Sequence, residues 1–154
     1  MSGAYLQLGY VTNDFDEALK RVRQSHGLGP FKEMRELTIA TRAGKQVTAH
    51  FALAFKADTQ FEIIAPLAGD KEFYVDILDA DGFDMRFHHL GRYFPQEADY
   101  RAALADARTR WEVPVEVAAF GGYYAYFDAR KDFGHYLEIY TFPAEEHFEG
   151  VPRY

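Results

Sequence analysis

Two short segments place polar residues at matching points in the two halves of the sequence. The segment QLGY, which begins at Gln7, corresponds to HLGR, which begins at His89. Each half then closes on an apolar stretch that contains one glutamate, Glu62 in the first half and Glu138 in the second. A repeated unit with a polar residue on its first strand and a carboxylate on its last can bring four donor atoms to one centre. The spacing therefore predicts a metal site built from two related halves.

The predicted elements around these residues occur in the same order in both halves. A strand at residues 4–11 precedes a helix that Asn13 or Asp14 can cap and that ends near Gly27. In the second half the corresponding helix begins at Pro95, a position that tolerates proline. Alternating apolar residues and turn signals predict the other strands, at residues 33–41, 46–56, 59–66, 85–94, 113–119, 122–128 and 136–142. The order is βαβββ, twice.

Length and pattern together predict a single domain. At 154 residues the chain can bury a substantial core, whereas either half alone would bury too little. We expect the first module at about residues 1–68 and a linking helix at about 69–82. The second module is expected at about 83–143, followed by a short polar tail at 144–154.

Composition argues against several classes of protein. The sequence has no cysteine, which excludes disulfides, thiolate metal sites and cysteine nucleophiles, and which is compatible with a cytoplasmic location. The net charge of −7 argues against nucleic acid or an anionic membrane as a partner. No signal peptide is visible, and no apolar run reaches the roughly 18 residues that would indicate a membrane span. We therefore expect a cytoplasmic protein with a small-molecule substrate.

Strand alternation predicts which side chains share a face with the two glutamates. Gln60 and Ile64 accompany Glu62, and Tyr136 and Tyr140 accompany Glu138. On the first strand of the first half, the same face is predicted to carry Tyr5, Gln7 and Gly9, with Leu6 and Leu8 on the opposite face under the helix. On the first strand of the second half, it is predicted to carry Phe87, His89 and Gly91, with His88 and Leu90 on the opposite face. A glutamate among aromatic residues is costly to bury unless it is paired or binds a cation. Two such glutamates suggest a common cause.

With these motifs the chain resembles the vicinal oxygen chelate superfamily, which includes glyoxalase I, methylmalonyl-CoA epimerase, extradiol dioxygenases and bleomycin-binding proteins. The resemblance rests on QLG at Gln7, DFDEAL at Asp14, EIIAPL at Glu62, HHLG at His88 and GHYLE at Gly134. It implies an α+β fold in which two tandem βαβββ modules form an open, cup-shaped mixed sheet. By position it also implies one divalent metal ion with the ligands Gln7, Glu62, His89 and Glu138.

The implied ligands distinguish between members of the superfamily. Extradiol dioxygenases use two histidines and one carboxylate, and Gln7 stands where the first of these histidines would be. The set Gln, Glu, His, Glu resembles the eukaryotic type of glyoxalase I, while the segment IAPL that begins at Ile64 is more similar to the epimerase. Members that only bind a ligand generally lack a complete metal set, and this chain has a donor at all four positions. His88 would replace His89 as the ligand only if the strand register slipped by one residue.

The resemblance implies chemistry on a substrate with two neighbouring oxygen atoms. Zn, Ni, Co, Mn or Fe at such a site could chelate both oxygens, polarise a carbonyl and acidify the adjacent C–H bond. Glu62 or Glu138 could then move the proton as base and acid through an enediolate. We therefore expect a metal-dependent isomerase or lyase.

Seven aromatic residues are predicted to line the cup: Tyr5, Phe87, Tyr93, Tyr124, Tyr126, Tyr136 and Tyr140. Such a pocket suits an aromatic or other bulky organic substrate. No clustered basic patch indicates a site for CoA or glutathione. His50, on a middle strand of the first half, is predicted to face the cavity and to contact the metal ligands without binding the metal itself.

Two other functions remain open at this point. One is a metal-independent protein that binds an antibiotic or aromatic metabolite, for which loss of Glu62 would leave ligand affinity unchanged. The other is a divergent extradiol-type dioxygenase, which would need Fe(II) and consume oxygen. For any of these functions the resemblance and the high aromatic content favour a homodimer.

Overall fold

Eight strands and four helices form the described part of the chain. The computed structural model describes residues 4–143 and 148–154, apart from the side chain of Tyr5. The strands are β1 (Ala4–Thr12), β2 (Lys32–Ala40), β3 (Gln46–Lys56), β4 (Thr59–Gly69), β5 (Met85–Tyr93), β6 (Val115–Ala119), β7 (Gly122–Phe127) and β8 (Tyr136–Thr141). The helices are α1 (Phe15–His26), α2 (Glu72–Val75), α3 (Glu97–Ala107) and α4 (Arg130–Phe133). The predicted βαβββ order is confirmed in both halves, and α4 is an addition that the sequence did not predict.

All eight strands belong to one mixed sheet in the order β2-β3-β4-β1-β5-β8-β7-β6. The first and last strands of each half pair in parallel, β1 with β4 and β5 with β8, and the two halves join through the antiparallel pair β1–β5. At the far edges the backbone N–H of Arg42, just after β2, donates to the carbonyl oxygen of Glu116 on β6 at 2.8 Å. The sheet therefore curves into a nearly closed cup. The predicted α+β fold with a cup-shaped mixed sheet is confirmed.

The interior of the cup and its outer face have separate apolar cores. The interior core is largely aromatic and includes Phe51, Tyr124 and Tyr140. Outside, α1 covers β4 with a cluster that contains Ala18 and Val22, and α3 covers β8 with a second cluster. Each of the strands that carries a glutamate is thus supported from behind by a helix.

The predicted caps of α1 are present. The carboxylate of Asp14 accepts a hydrogen bond from the backbone N–H of Glu17 at 3.1 Å, and Asp16 and Glu17 occupy the first turn, where the helix dipole favours acids. Gly27 ends the helix with φ 65° and donates to the carbonyl oxygen of Arg23. Among the described residues, no helix has the length and apolar character needed to cross a membrane.

The end of the chain packs onto the sheet rather than forming a polar tail. Val151 is buried against Leu53 and Phe55 of β3. The backbone N–H of Phe55 donates to the carbonyl oxygen of Pro152, and the N–H of Tyr154 donates back to Phe55. Residues 148–154 of the predicted polar tail therefore lie against the sheet, while residues 144–147 lie outside the described part.

Candidate metal centre

Four polar side chains from four strands meet at the centre of the cup. Nε2 of His89 lies 3.1 Å from Oε1 of Gln7, 3.2 Å from Oε2 of Glu62 and 3.4 Å from Oε2 of Glu138. His89, Gln7 and Glu138 are buried, and the side chain of Glu62 is 14% exposed. These are the four residues that the resemblance indicated by position.

The strand register explains why the four side chains meet. Gly9 of β1 lies beside Glu62 of β4 and opposite His89 of β5, and Gly91 of β5 lies beside Glu138 of β8 and opposite Gln7. The two halves therefore contribute equivalent pairs around the β1–β5 junction. Each pair consists of a donor from the first strand and a carboxylate from the last.

Two glycines provide the space that the donors occupy. A Cβ atom added at Gly9 would lie 1.9 Å from Cε1 of His89, and one added at Gly91 would lie 2.7 Å from Oε1 of Gln7. Each half thus leaves a gap that the polar residue of the other half fills. This is the physical reason for the repeated QLG and HLG segments.

The arrangement of donors fits a divalent metal ion. Oε2 of Glu62 and Oε2 of Glu138 are buried without a hydrogen-bond partner among the described residues. Metal–ligand distances of about 2.0–2.2 Å at ordinary coordination angles separate neighbouring ligand atoms by roughly 2.8–3.6 Å. The distances from Nε2 of His89 to the three oxygen atoms fall within this range. Glu62, His89 and Glu138 thus form a group that could hold a metal ion.

The amide of Gln7 is oriented by a residue to which the sequence analysis gave no role. Nε2 of Gln7 donates to Oε1 of Gln60 at 2.9 Å, so Oε1 of Gln7 points towards His89. Gln60 is fully buried on β4, on the same face as Glu62. Alternation predicted this placement correctly, but only the structure reveals the contact between the two amides.

His88 lies inside the cup and not under a helix, so its predicted position was wrong. In the pairing of β5 with β1, His89 and Phe87 pair with the consecutive residues Gly9 and Tyr10, which makes His88 the extra residue of a β-bulge. Its buried ring contacts Nδ1 of His89 and packs against Tyr136. His89, and not His88, presents its Nε2 to the two glutamates.

The same irregularity changes the position of Phe87. Beyond the bulge the alternation is reversed, so the ring of Phe87 lies on the outer face against Tyr10 and is 36% exposed. The prediction that Phe87 lines the cup is therefore wrong. A second bulge in the same pairing falls at Leu6, which packs towards Phe55 rather than under a helix.

The charges at the centre explain the protonation of the two histidines. Burial and the neighbouring His89 lower the pKa of His88 to about 3, so its ring is neutral. Burial would also lower the pKa of His89, but the attraction of Glu138 and Glu62 outweighs it and raises the pKa to about 9. Burial raises the pKa of Glu138. Two carboxylates around one imidazole thus require a positive charge, which a proton or a metal ion can supply.

The centre forms part of the wall of a cavity of about 370 Å³. Glu62, Glu138 and Gln7 line it at the bottom, and its walls combine apolar side chains of β2 and β3 with tyrosines of α2, β7 and β8. Of the aromatic residues predicted to line the cup, Tyr124, Tyr126 and Tyr140 do so.

The remaining predicted residues have other positions. Tyr136 lines a second cavity of about 280 Å³ at the other side of α2. Tyr93 packs on Tyr140, and its hydroxyl donates to the carbonyl oxygen of Phe142, so it supports the wall without lining the cavity. The side chain of Tyr5 lies outside the described part of the chain. His50 accepts a hydrogen bond from the backbone of Glu36 and does not contact the centre.

Tyr74 of α2 also lines the cup, although no role was predicted for it from the sequence. Tyr74 is 3% exposed, lines both cavities and forms a hydrogen bond with Tyr126. Burial raises its pKa far above the usual range. The adjacent pair Phe73 and Tyr74 in a segment assigned as a linker was the available signal that this segment enters the core.

The fold is similar to that of solved methylmalonyl-CoA epimerases, as the sequence motifs led us to expect. No family model matches the chain, and no curated protein matches it in sequence. Among solved structures, a methylmalonyl-CoA epimerase of Streptomyces coelicolor in complex with 2-nitronate-propionyl-CoA is similar, with a TM-score of 0.56 and 13% identity over 92% of this chain and 99% of the other. The epimerase of Mycobacterium tuberculosis has a TM-score of 0.56 and 14% identity, with coverage of 91% and 87%.

A further similar structure is a hypothetical protein of Bacillus halodurans, with a TM-score of 0.56 and 14% identity over 92% of this chain and 95% of the other. At these identities the similarity establishes the fold. The chemistry of this chain has to be argued from its own residues.

Proposed function

We propose that this protein is a metal-dependent isomerase or lyase that moves a proton on a small, vicinally oxygenated organic substrate. The observation that carries the proposal is the convergence of Gln7, Glu62 and Glu138 on Nε2 of His89 at the bottom of a cavity of about 370 Å³. Burial raises the pKa of Glu138, and a perturbed carboxylate beside a cavity of this size is typical of a functional site.

Gln7, Glu62, His89 and Glu138 would hold one divalent ion. Three oxygen donors and one imidazole suit Zn, Ni, Co, Mn or Fe, and the donor types do not select one of them. When bound, the ion would polarise a substrate carbonyl and stabilise the negative charge that develops as the neighbouring C–H bond loses its proton. The side chains of the cavity would transfer the proton and bind the substrate.

Glu62 is our candidate for the base that removes the proton. Glu138 is held in place by a hydrogen bond from the hydroxyl of Tyr126 and is almost fully buried. Glu62 has the more accessible carboxylate of the two. We infer that Glu138 mainly anchors the site, while Glu62 moves the proton between two carbon positions through an enediolate.

The walls of the cavity favour a largely apolar or aromatic substrate. Most of its lining is apolar or phenolic, and the one basic residue among the described residues that line it, Lys32, already donates to the carbonyl oxygen of Glu149 at 2.6 Å. Two of the solved epimerase structures contain CoA compounds, but the phosphates of CoA would need basic contacts that the described lining of this cavity does not offer. An α-hydroxy ketone or α-hydroxy aldehyde with one aromatic ring matches the lining better.

The proposal can be tested by deuterium exchange in D₂O, which reports removal of a C–H proton in both isomerases and lyases. With metal-loaded protein and aryl α-hydroxy ketones, NMR should show exchange at the carbon that bears the hydroxyl group, and a chelator should abolish it. Glu62→Gln should lose at least about 100-fold of the exchange rate, as is usual for loss of a general base. The exposed carboxylate variant Glu33→Gln is the control and should keep the rate.

A metal-independent binding protein is the main alternative, because the cavity is apolar and enclosed by aromatic rings. It would bind aromatic ligands with equal affinity in wild type and Glu62→Gln, and no substrate would exchange deuterium. An extradiol-type dioxygenase has less support. Both ring nitrogens of His88 are engaged elsewhere, so within the described residues one histidine faces the site and not two.

We further propose that the protein is a homodimer that associates through its outer face. Between α1 and α3 this face carries an aromatic stripe, defined as Phe61, Tyr10, Phe87, His135 and Phe133, whose successive rings lie 5.1–6.4 Å apart. Phe87 and Phe133 are 36% and 58% exposed. A continuous apolar surface of this kind is typical of an interaction site. Its partner would be a second copy of the chain, because two-fold dimers are the commonest oligomers.

A further inference from the structure

His88 is a buried residue that the proposed chemistry does not use. Its side chain is 1% exposed. Nε2 of the ring lies 3.1 Å from the carbonyl oxygen of Phe73, and Nδ1 lies 3.0 Å from Nδ1 of His89. The ring therefore links the backbone of α2 to the imidazole that faces the two glutamates.

The carbonyl group of Phe73 determines where the hydrogen atoms lie on both rings. A carbonyl oxygen can only accept, so Nε2 of His88 must carry a hydrogen atom. A neutral imidazole has one N–H, so Nδ1 of His88 is an acceptor. Nδ1 of His89 must then be the donor, which leaves a lone pair on Nε2 of a neutral His89.

We propose that His88 is a positioning residue that holds His89 in the tautomer whose Nε2 can bind a metal ion. Metal-binding histidines commonly donate their second ring N–H to an acceptor behind them, which fixes the ring and its tautomer. Here the acceptor is a second histidine, itself fixed by a backbone carbonyl group. The inference rests on the proposed metal-dependent function and names a residue that this function needs.

The bulge in β5 is what makes this arrangement possible. In a regular strand the neighbours His88 and His89 would point to opposite faces of the sheet. Because His88 is the extra residue of the bulge, both rings lie inside the cup, with their centroids 5.3 Å apart and nearly perpendicular. The irregular backbone thus has a chemical consequence at the site.

Two amide substitutions separate the positioning role from a purely structural one. In His88→Asn, the amide oxygen can take the place of Nδ1 and accept from His89, but the side chain is too short to reach Phe73. In His88→Gln, the amide nitrogen can take the place of Nε2 and donate to Phe73, but the acceptor for His89 is lost. Positioning requires the asparagine variant to be the better replacement, whereas anchoring of α2 requires the glutamine variant.

The experiment measures zinc and cobalt affinity by competition with a chromophoric chelator, together with the nitrogen NMR signals of His89 in the zinc-loaded protein. His88→Asn should keep the wild-type affinity and tautomer, and His88→Gln and His88→Phe should lower the affinity by roughly 10–100-fold. Thr12→Val removes a partly buried hydrogen bond to the carbonyl oxygen of Asp84, away from the site, and should leave the affinity unchanged.

The outcomes distinguish failure of the positioning role from failure of the function. If the glutamine variant binds metal as well as or better than the asparagine variant, the positioning role is overturned while the metal-dependent function stands. If the wild-type protein binds neither zinc, cobalt nor manganese, both are overturned. If circular dichroism shows that His88→Phe does not fold, the comparison of the two amide variants still distinguishes positioning of His89 from anchoring of α2.

Discussion

At the scale of single residues, the site is a problem of charge compensation. Two glutamates and one glutamine direct oxygen atoms at a single nitrogen of His89. One N–H cannot satisfy three acceptors, and burial makes uncompensated carboxylates expensive. Without a metal ion, the compensation is a second proton on His89, which is why its pKa is raised. A metal ion would replace that proton.

This exchange of charge predicts an unusual dependence of stability on pH. The pKa of His89 is about 9 in the folded protein and near 6.5 when the chain is unfolded. The stabilisation of the folded protein by protonated His89 is therefore fully present below about pH 6.5 and is lost as the pH rises to about 9. Thermal melts of metal-free protein should show a falling Tm across this interval.

Excess zinc should reverse this trend, because metal binding requires the deprotonated ring and strengthens as the pH rises. Melts in parallel with and without chelator provide the comparison. A metal-free Tm that stays constant between pH 6.5 and 9 would mean that His89 does not carry the compensating proton.

At the scale of elements, regular strands could be predicted from the sequence and irregular ones could not. On β4 and β8, alternation placed Glu62 and Glu138 correctly on the inner face, with Ile63 and Ile139 under the helices. On β1 and β5 the same rule failed at Leu6 and His88. A bulge depends on how two distant strands pair, and no local pattern in the sequence of either strand encodes that register.

The four polar residues of the site were predictable for a related reason. Gln7, Glu62, His89 and Glu138 occupy matching points of a repeat, so their positions follow from the motif without knowledge of the backbone. Tyr74 and Gln60 act through contacts that form only when separate elements meet, and neither belongs to the repeat. The short helix α2 lies in the predicted linking helix, where the adjacent pair Phe73 and Tyr74 was the only local sign that this segment enters the core.

The junction between β1 and β5 gives a prediction about the two glycines. Gly9→Ala places a methyl group within the ring of His89, which has little room to move, whereas Gly91→Ala meets Oε1 and Cβ of Gln7, the amide donor of the same site. We expect Gly9→Ala to lower the free energy of unfolding by about 1–3 kcal/mol, the usual cost of overpacking. It should also lose most of its zinc, whereas Gly91→Ala, which displaces only the amide donor Gln7, should lose less.

Urea denaturation and elemental analysis of the two variants measure both effects. Each variant serves as the control for the other, because both add one methyl group to the same strand pair. Equal zinc content in the two variants would contradict the view that Gly9 makes room for the metal-binding position of His89.

At the scale of the whole molecule, the two faces of the sheet have different tasks. The inner face is enclosed, because the edges of the sheet meet at Arg42 and Glu116, where backbone and side-chain contacts join β6 to the segment after β2. The outer face is covered by α1 and α3 but not between them. The proposed chemistry belongs to the first face, and the proposed self-association belongs to the second. The two proposals can therefore be tested separately.

The outer aromatic stripe predicts which exposed phenylalanine supports the dimer. Phe133 lies at the end of the stripe, beside His135 and Trp111, whereas Phe120 is nearly as exposed, at 55%, but lies at the mouth of the inner cavity. A charge buried in an apolar interface without a partner is strongly unfavourable. Phe133→Asp should therefore yield a monomer in light scattering coupled to size-exclusion chromatography, and Phe120→Asp should remain a dimer. If Phe133→Asp remains a dimer, or if the wild-type protein is a monomer, the stripe is not a self-association surface. Neither outcome would contradict the chemistry proposed for the inner site, which deuterium exchange tests separately.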